Sequence, residues 1–314
     1  MAFFFKQKTL PGWLAVKAEG ERAQFAYVRP GEKRPQVVYC EARAIDPADP
    51  RALERAGREF DAHRHRVTTL MAPRDYQLLV VEAPTVKAEE LRSAIRWRIK
   101  DMIDFHVDDA VIDVLDIPVA RNGATRGHSM AAVVSRTAAV QGIVARFEAA
   151  KLPLEVIDIP DTAQRNVAAL FESEERGVVS LSFDADGGLI TFTSGGELYL
   201  ARRIDLAVGQ LAAAEETARA PAFERALVEM QRSLDHFERQ FRDVTVSKVL
   251  LAPMPQPAES LRAYLRENLY LPVEELALES VVDLPATRAL ADRANQMHWL
   301  KLVGAGLRSE AKAL

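Results

Sequence analysis

The chain has a single cysteine, Cys40, among its 314 residues. That excludes an intrachain disulfide and any multi-cysteine metal site, and it reads as a half-buried strand position in a reducing compartment. Long apolar runs are missing too: none approaches the ~20 residues needed to span a bilayer. Phe3-Phe4-Phe5 is followed by Lys6 and Lys8 without a small-residue cleavage site, so no signal peptide is read and a cytoplasmic location is expected. Acidic and basic residues nearly balance, with a net charge of −4. No large basic field is available to neutralise the phosphates of nucleic acid or of an anionic membrane. The chain has no Gly-x-x-x-x-Gly-Lys-Ser/Thr loop, no His-Glu-x-x-His and no Gly-x-Ser-x-Gly. Gly304-Ala305-Gly306 shares the first letters of a dinucleotide fingerprint but ends a helix where a phosphate loop would open one, so a packing or capping role is expected. His63 and His65, two apart, read as surface residues at a helix end. Asp108, Asp109, Asp113 and Asp116 read as the solvated side of a strand and its leading turn rather than a cation site.

What is present is a soluble, globular composition, 48% hydrophobic and 27% charged, with length enough for two cores. It is also duplicated. Strand-like runs at Trp13–Val16, Gln24–Val28 and Gln36–Cys40 are followed by a helix over 50–63 and a strand ending Thr69-Leu70-Met71-Ala72-Pro73. The pattern recurs at Val178–Phe183, Leu189–Thr193 and Leu198–Leu200, ending Val249-Leu250-Leu251-Ala252-Pro253. Gly195-Gly196 marks a two-residue hairpin because both positions of such a turn need positive φ. Two related α/β halves with a cleft between them are expected. In the second, helices are read over 225–242, around Leu261, Tyr264 and Leu265, and over 288–307.

Between the halves the plan is interrupted. Tyr76–Glu82 reads as a strand buried on both faces. Ala88–Ile103 is a helix with Leu91, Ile95, Ile99 and Met102 on one face. Strands follow at Val111–Ile117 and Met130–Val134, joined by the polar loop 121–128. Thr137 is the expected N-cap of a helix carrying Val140, Ile143 and Phe147. Leu154–Ile159 then closes a β-α-β-β-α-β unit.

The passage from Pro84 to Phe105, with its acidic helix start and its Ala94-Ile95-Arg96-Trp97 core, resembles the signature helix of the PilM family. Val133-Val134-Ser135, the strand from Leu152 to Ile159 and the Glu229–Phe237 stretch, similar to that family's IQRSLDYF helix, agree with it. Phe3-Phe4-Phe5-Lys6 with Leu10–Val16 leans toward the MshI branch, biogenesis proteins of mannose-sensitive haemagglutinin pili. The resemblance implies duplicated actin-like, ribonuclease H-like halves of the FtsA variety. Residues 1–74 would form the first core, with 286–314 packing back on it. Residues 75–160 would be the inserted subdomain and 161–285 the second half. It also implies a place under the inner membrane, gripping the cytoplasmic tail of a PilN-like membrane protein, with Arg96, Trp97 and Phe105 as candidates to shape the groove where the insertion meets the first half.

Family members of this kind can bind ATP and Mg²⁺ in the cleft, and here the expected residues depart from that pattern. Lys17 stands where the family has an Asp, and Ser182 where a second Asp is expected. The strand end Ala252-Pro253-Met254-Pro255 lacks the glycines of an adenosine-side loop. A charged lysine cannot ligate a metal. Asp184, Asp186, Gly187 and Gly188 remain as a candidate phosphate-facing turn. The reading is a degenerate scaffold in which ATP/Mg is possible but no cofactor is expected. Its alternatives are an ATPase supporting pilus assembly and a GspL-like type II secretion component. The latter would continue into a membrane helix, where this chain stops at Leu314.

Overall fold

A computed structural model describes residues 9–118, 128–173, 176–284 and 288–309. The Phe3–Phe5 run, nearly all of the 121–128 loop and the end of the 309–314 tail lie outside them. In chain order the first elements are β1 (Trp13–Glu19), β2 (Arg22–Arg29), β3 (Gln36–Ala44), α1 (Ala52–Glu59) and β4 (Arg66–Leu70). Next come β5 (Tyr76–Glu82), α2 (Ala88–Ile99), β6 (Ala110–Ile117), β7 (Ser129–Arg136), α3 (Thr137–Ala149), β8 (Leu154–Asp158) and α4 (Pro160–Ala168). The second meander is β9 (Gly177–Asp184), β10 (Gly187–Ser194) and β11 (Glu197–Ile204), followed by α5 (Val208–Leu211) and α6 (Glu216–Gln240). The chain then forms β12 (Val246–Leu251), α7 (Leu261–Asn268), β13 (Val273–Glu275), α8 (Arg288–Ala291) and α9 (Arg293–Gly306).

The duplication is carried strand for strand. One sheet has the order β3-β2-β1-β4-β8 and the other β11-β10-β9-β12-β13. In each, an antiparallel meander of three strands is extended by two parallel ones. The hairpin at Gly195-Gly196 has φ of 61° and 77°, the left-handed values that the two-residue turn demands.

Alternation along the strands assigns the faces. Leu14, Val16 and Phe25 turn outward onto α1 and the end of α3, where Leu53, Ala56 and Phe147 cover them. Ala15, Ala26 and Val28 turn inward onto Trp299, Leu302 and Val303 of α9. In the second sheet Leu181, Ile190 and Phe192 are covered outside by Met230, Leu234 and Phe237 of α6 and by α7. Val178 and Leu250 meet Val167 and Ala168 of α4 and Leu300 of α9 on the inside. The layers therefore run α1/α3, first sheet, α4/α9, second sheet, α6/α7. In the middle layer a Cβ on Gly304 would come within 2.1 Å of the Ala163 carbonyl oxygen, so glycine is what lets α9 lie against α4. This is the packing role read for that glycine.

The insertion differs from expectation at its last strand. β8 pairs in parallel with β4 and belongs to the first sheet, which leaves a three-stranded antiparallel sheet, β5-β7-β6. An apolar five-residue run specifies a strand but not the sheet it joins. α2 covers one face through Ile95 and Ile99, and the other rests on α3 and the end of the first sheet through Tyr76, Leu78 and Ile143. β5 is not buried on both faces, since Val80 is exposed. Thr137 is the first helical residue of α3 rather than its cap, and its hydroxyl donates to the Asp109 carbonyl at 2.8 Å. The helix read over 225–242 starts earlier, at Glu216, and the one over 288–307 breaks at Asp292, whose carboxylate caps α9 by accepting from the Ala294 N–H. Among the described residues no helix is long and apolar enough to cross a membrane.

Candidate functional site

In open sheets with parallel strands, ligands gather at the carboxyl ends. Here the carboxyl ends of β1, β4, β9 and β12 bring together the two meander turns and the loop after β12.

Lys17 lies near the end of β1 on the face toward α9, by alternation with Ala15. Its ammonium is 2.8 Å from the Glu19 carboxylate. That contact, more than any other, holds the Glu19 carboxyl below its usual range, and Arg74 adds to it. In the second sheet Asp184 ends β9. One of its carboxylate oxygens accepts from the Asp186 N–H at 2.9 Å and the other from Lys301 of α9 at 2.5 Å. Asp186 itself is exposed. Gly187 and Gly188 are buried inside β10, where a Cβ would meet the Ile204 carbonyl at 2.7 Å and the Phe183 ring at 2.7 Å. Both glycines thus serve close strand packing.

Ser182, where an acid was looked for, is buried and donates to the Gln164 side-chain oxygen at 2.5 Å. The Gln164 amide in turn donates to the Ser180 and Leu189 carbonyls, each at 3.1 Å, and to the Thr191 hydroxyl at 3.0 Å. A wholly buried amide with these partners pins α4 to the second sheet. The loop after β12 is filled rather than open. Ala252, Pro253 and Met254 are buried, and Met254 belongs to the outer core. Beside it a cavity of about 210 Å³ is walled by Arg262 and Arg293, both 2.8 Å from Glu275. That is below the ~300–1,000 Å³ typical of ligand pockets.

A hydrated magnesium ion takes carboxylates and waters in octahedral geometry. The residues at the expected positions do not fit one: an ammonium stands at the β1 position, the β9 hydroxyl is internally satisfied, and the nearby Asp184 is paired with a lysine. Among the described residues no three His, Cys, Asp or Glu side chains are grouped to hold a metal, and the Asp108–Asp116 acids form no such cluster.

The three partner-binding candidates are not brought together. Arg96 turns into the insertion, donating to the carbonyls of Val107 at 2.5 Å and Ala110 at 3.3 Å. Phe105 packs against the small core, with the Arg136 guanidinium 4.2 Å from its ring centre. Trp97 stands 74% exposed on the outer face of α2, away from the contact between insertion and first sheet. That contact is closed by Met71, Tyr76 and Ile159. The 3.6-residue period already carried this signal, because Trp97 falls two residues off the Leu91, Ile95, Ile99 stripe.

A polar junction nearby has no signature in the local sequence. The buried Asp161 carboxylate at the start of α4 accepts from the Tyr76 hydroxyl and, at 2.9 Å, from Arg203 of β11. Burial, reinforced by Asp161, pushes the Tyr76 phenol far up. Nor does any local pattern mark Lys301, which sits among the apolar residues Trp299, Leu300, Leu302 and Val303 of α9. His65, expected at the surface, is buried edge-on to Tyr27 with ring centres 4.3 Å apart, and its pKa is lowered to about 4 by that burial.

No family model matches the chain, and no curated protein matches it. Solved structures do. A chain of the PilM–PilN type IV pilus biogenesis complex superposes with a TM-score of 0.70 at 19% identity, covering 94% of this chain and 98% of that one. A Bacteroides thetaiotaomicron protein with an actin-like ATPase fold and unknown function gives 0.49 at 11%, covering 94% and 99%. The cytoplasmic domain of EpsL, an inner-membrane component of the Vibrio cholerae type II secretion system, gives 0.47 at 14%, covering 93% and 94%. The two five-stranded sheets of one topology, the helices between them and the first of these likenesses together make this chain a duplicated, actin-like α/β fold.

Proposed function

We propose that the protein is an adaptor of type IV pilus biogenesis, of the mannose-sensitive haemagglutinin kind, that works at the inner face of the inner membrane. It takes hold of the cytoplasmic tail of a PilN-like membrane protein and does not turn over nucleotide. Two things support this reading: the whole-chain likeness to a component of the PilM–PilN complex, and the occupation of the cleft's charged groups by one another. An ATP-driven engine would need a carboxylate where Lys17 stands.

The observation that carries the binding role is Trp97. An indole 74% exposed on a well-formed helix is an unpaid desolvation opportunity, and tryptophan is among the residues that dominate interface energetics. Lys100, 5.7 Å from its ring centre, leaves the outer ring face partly open. Immobilised tail peptide of a PilN-like protein tests it. Wild type is retained, and Trp97→Ala loses about tenfold or more in affinity with an unchanged unfolding midpoint. No retention of wild type at high micromolar concentration removes the adaptor reading. Full retention of Trp97→Ala moves the docking face elsewhere.

A further inference from the structure

The charges at the carboxyl ends of the strands connect the two sheets to each other. α9 is seated on the first sheet through Trp299, Leu302 and Val303, and Lys301 reaches from it to Asp184 at the end of β9 in the second. The pair is sheltered, with side chains 16% and 32% exposed. A second bridge lies on the insertion side. Arg203, from the edge strand β11, closes on Asp161 of α4 and on Tyr76 at the start of β5. Partly buried ion pairs of this sort add little net stability over apolar replacements, but breaking one leaves a sheltered charge without its partner, so they discriminate between arrangements.

We propose that Lys301–Asp184 and Arg203–Asp161–Tyr76 form a built-in clasp that fixes the two sheets against each other through the protein's own charges. In a two-lobed cradle that closes on a cation and a nucleotide, the ligand shifts the equilibrium through its greater affinity for the closed state. Here the Lys301 ammonium is paired with Asp184, and Lys17 and Ser182 stand where carboxylates for such a cation are expected. Mg-ATP therefore has little differential contact to make. The clasp stands on residues remote from Trp97 and is independent of which partner docks there.

Hydrogen exchange of residues 184–188 and 296–306 in the full chain tests it. In wild type both segments are protected, and adding millimolar Mg-ATP leaves their rates unchanged. Lys301→Gln speeds exchange in both by about tenfold or more, and the reversed pair Lys301→Asp with Asp184→Lys restores protection. Asp184→Asn, which keeps the shape of the side chain, reads the same contact should Lys301→Gln not fold. The proposal is overturned if Mg-ATP slows wild-type exchange about tenfold, if the single variants exchange at the wild-type rate, or if the reversed pair restores nothing. Tail-peptide capture reads a different surface, so its failure leaves the clasp untouched.

Discussion

In the first sheet the connection from the fourth strand to the fifth runs from Met71 to Pro153 and contains a sheet of its own. In the second it runs from Ala252 to Pro272 and contains little more than α7. The flanking strands are otherwise in one order. Their surfaces differ as much as their lengths. Val80, Val86, Trp97, Met102 and Val111 are large apolar side chains exposed on the long connection, whereas on the second sheet's side Tyr270 stands out, and its hydroxyl is tied to Glu238 at 2.5 Å. The duplicated sheets hold the large cores, and the connection outside the duplication carries the exposed apolar face on which the proposed docking rests. Such a division fits the rule that function is grafted onto a fold rather than contained in it.

Perturbing the large cores should cost most. Phe237 is buried and stacked on Phe192 with ring centres 4.4 Å apart. Phe237→Ala is expected to lose about 3–5 kcal/mol in denaturant unfolding. A loss below ~1 kcal/mol would mean that the second core is loosely packed and would dissolve the contrast. Between the sheets, Gly304→Ala puts a methyl against the Ala163 carbonyl. It should cost about 1–3 kcal/mol by forcing α9 off α4, read by the same titration.

A pH titration separates the first sheet from the second. The His65 pKa is lowered to about 4 from 6.5 by burial, so the unfolded chain binds the proton first. Stability is therefore full above pH ~6.5 and falls as the pH drops toward ~4. His65→Phe should flatten that part of the pH profile, and a wild-type midpoint constant between pH 7 and 4.5 would refute it. The smallest effect belongs to the connection: Trp97→Ala should move the unfolding free energy by no more than ~0.5 kcal/mol, against its large effect on tail capture. A loss of several kcal/mol would make Trp97 a structural residue and remove the contrast from its other side.

The parts written in local periodicity were legible. Both meanders, the Gly195-Gly196 hairpin and the strands leading to the two Ala-Pro turns follow from alternation and turn chemistry. What was not legible depends on partners far away in the chain. β8 looks like a strand whichever sheet it joins, and its parallel pairing with β4 spans the whole insertion. Gln164 reads as a polar residue on a helix until the strand carbonyls of Ser180 and Leu189 appear opposite it. At the cleft, the substitution at Lys17 could be read, and strand alternation puts Glu19 on its face, but the pairing of Asp184 with Lys301 could not, because no short-range pattern encodes an ion pair 117 residues apart in sequence. Arg96 illustrates the converse error. Its place beside Trp97 made it look like a neighbour in function, while a helix turns adjacent side chains about 100° apart, which sends Arg96 inward and Trp97 out.

The seating of α9 has an implication for synthesis on the ribosome. The inner face of the first sheet, Ala15, Ala26, Val28 and Val37, finds its cover in Trp299, Leu302 and Val303. Those residues leave the exit tunnel long after the strands they shield. Through most of translation that apolar surface lacks this cover, so the first half completes its core only when residues 293–306 arrive to cap it.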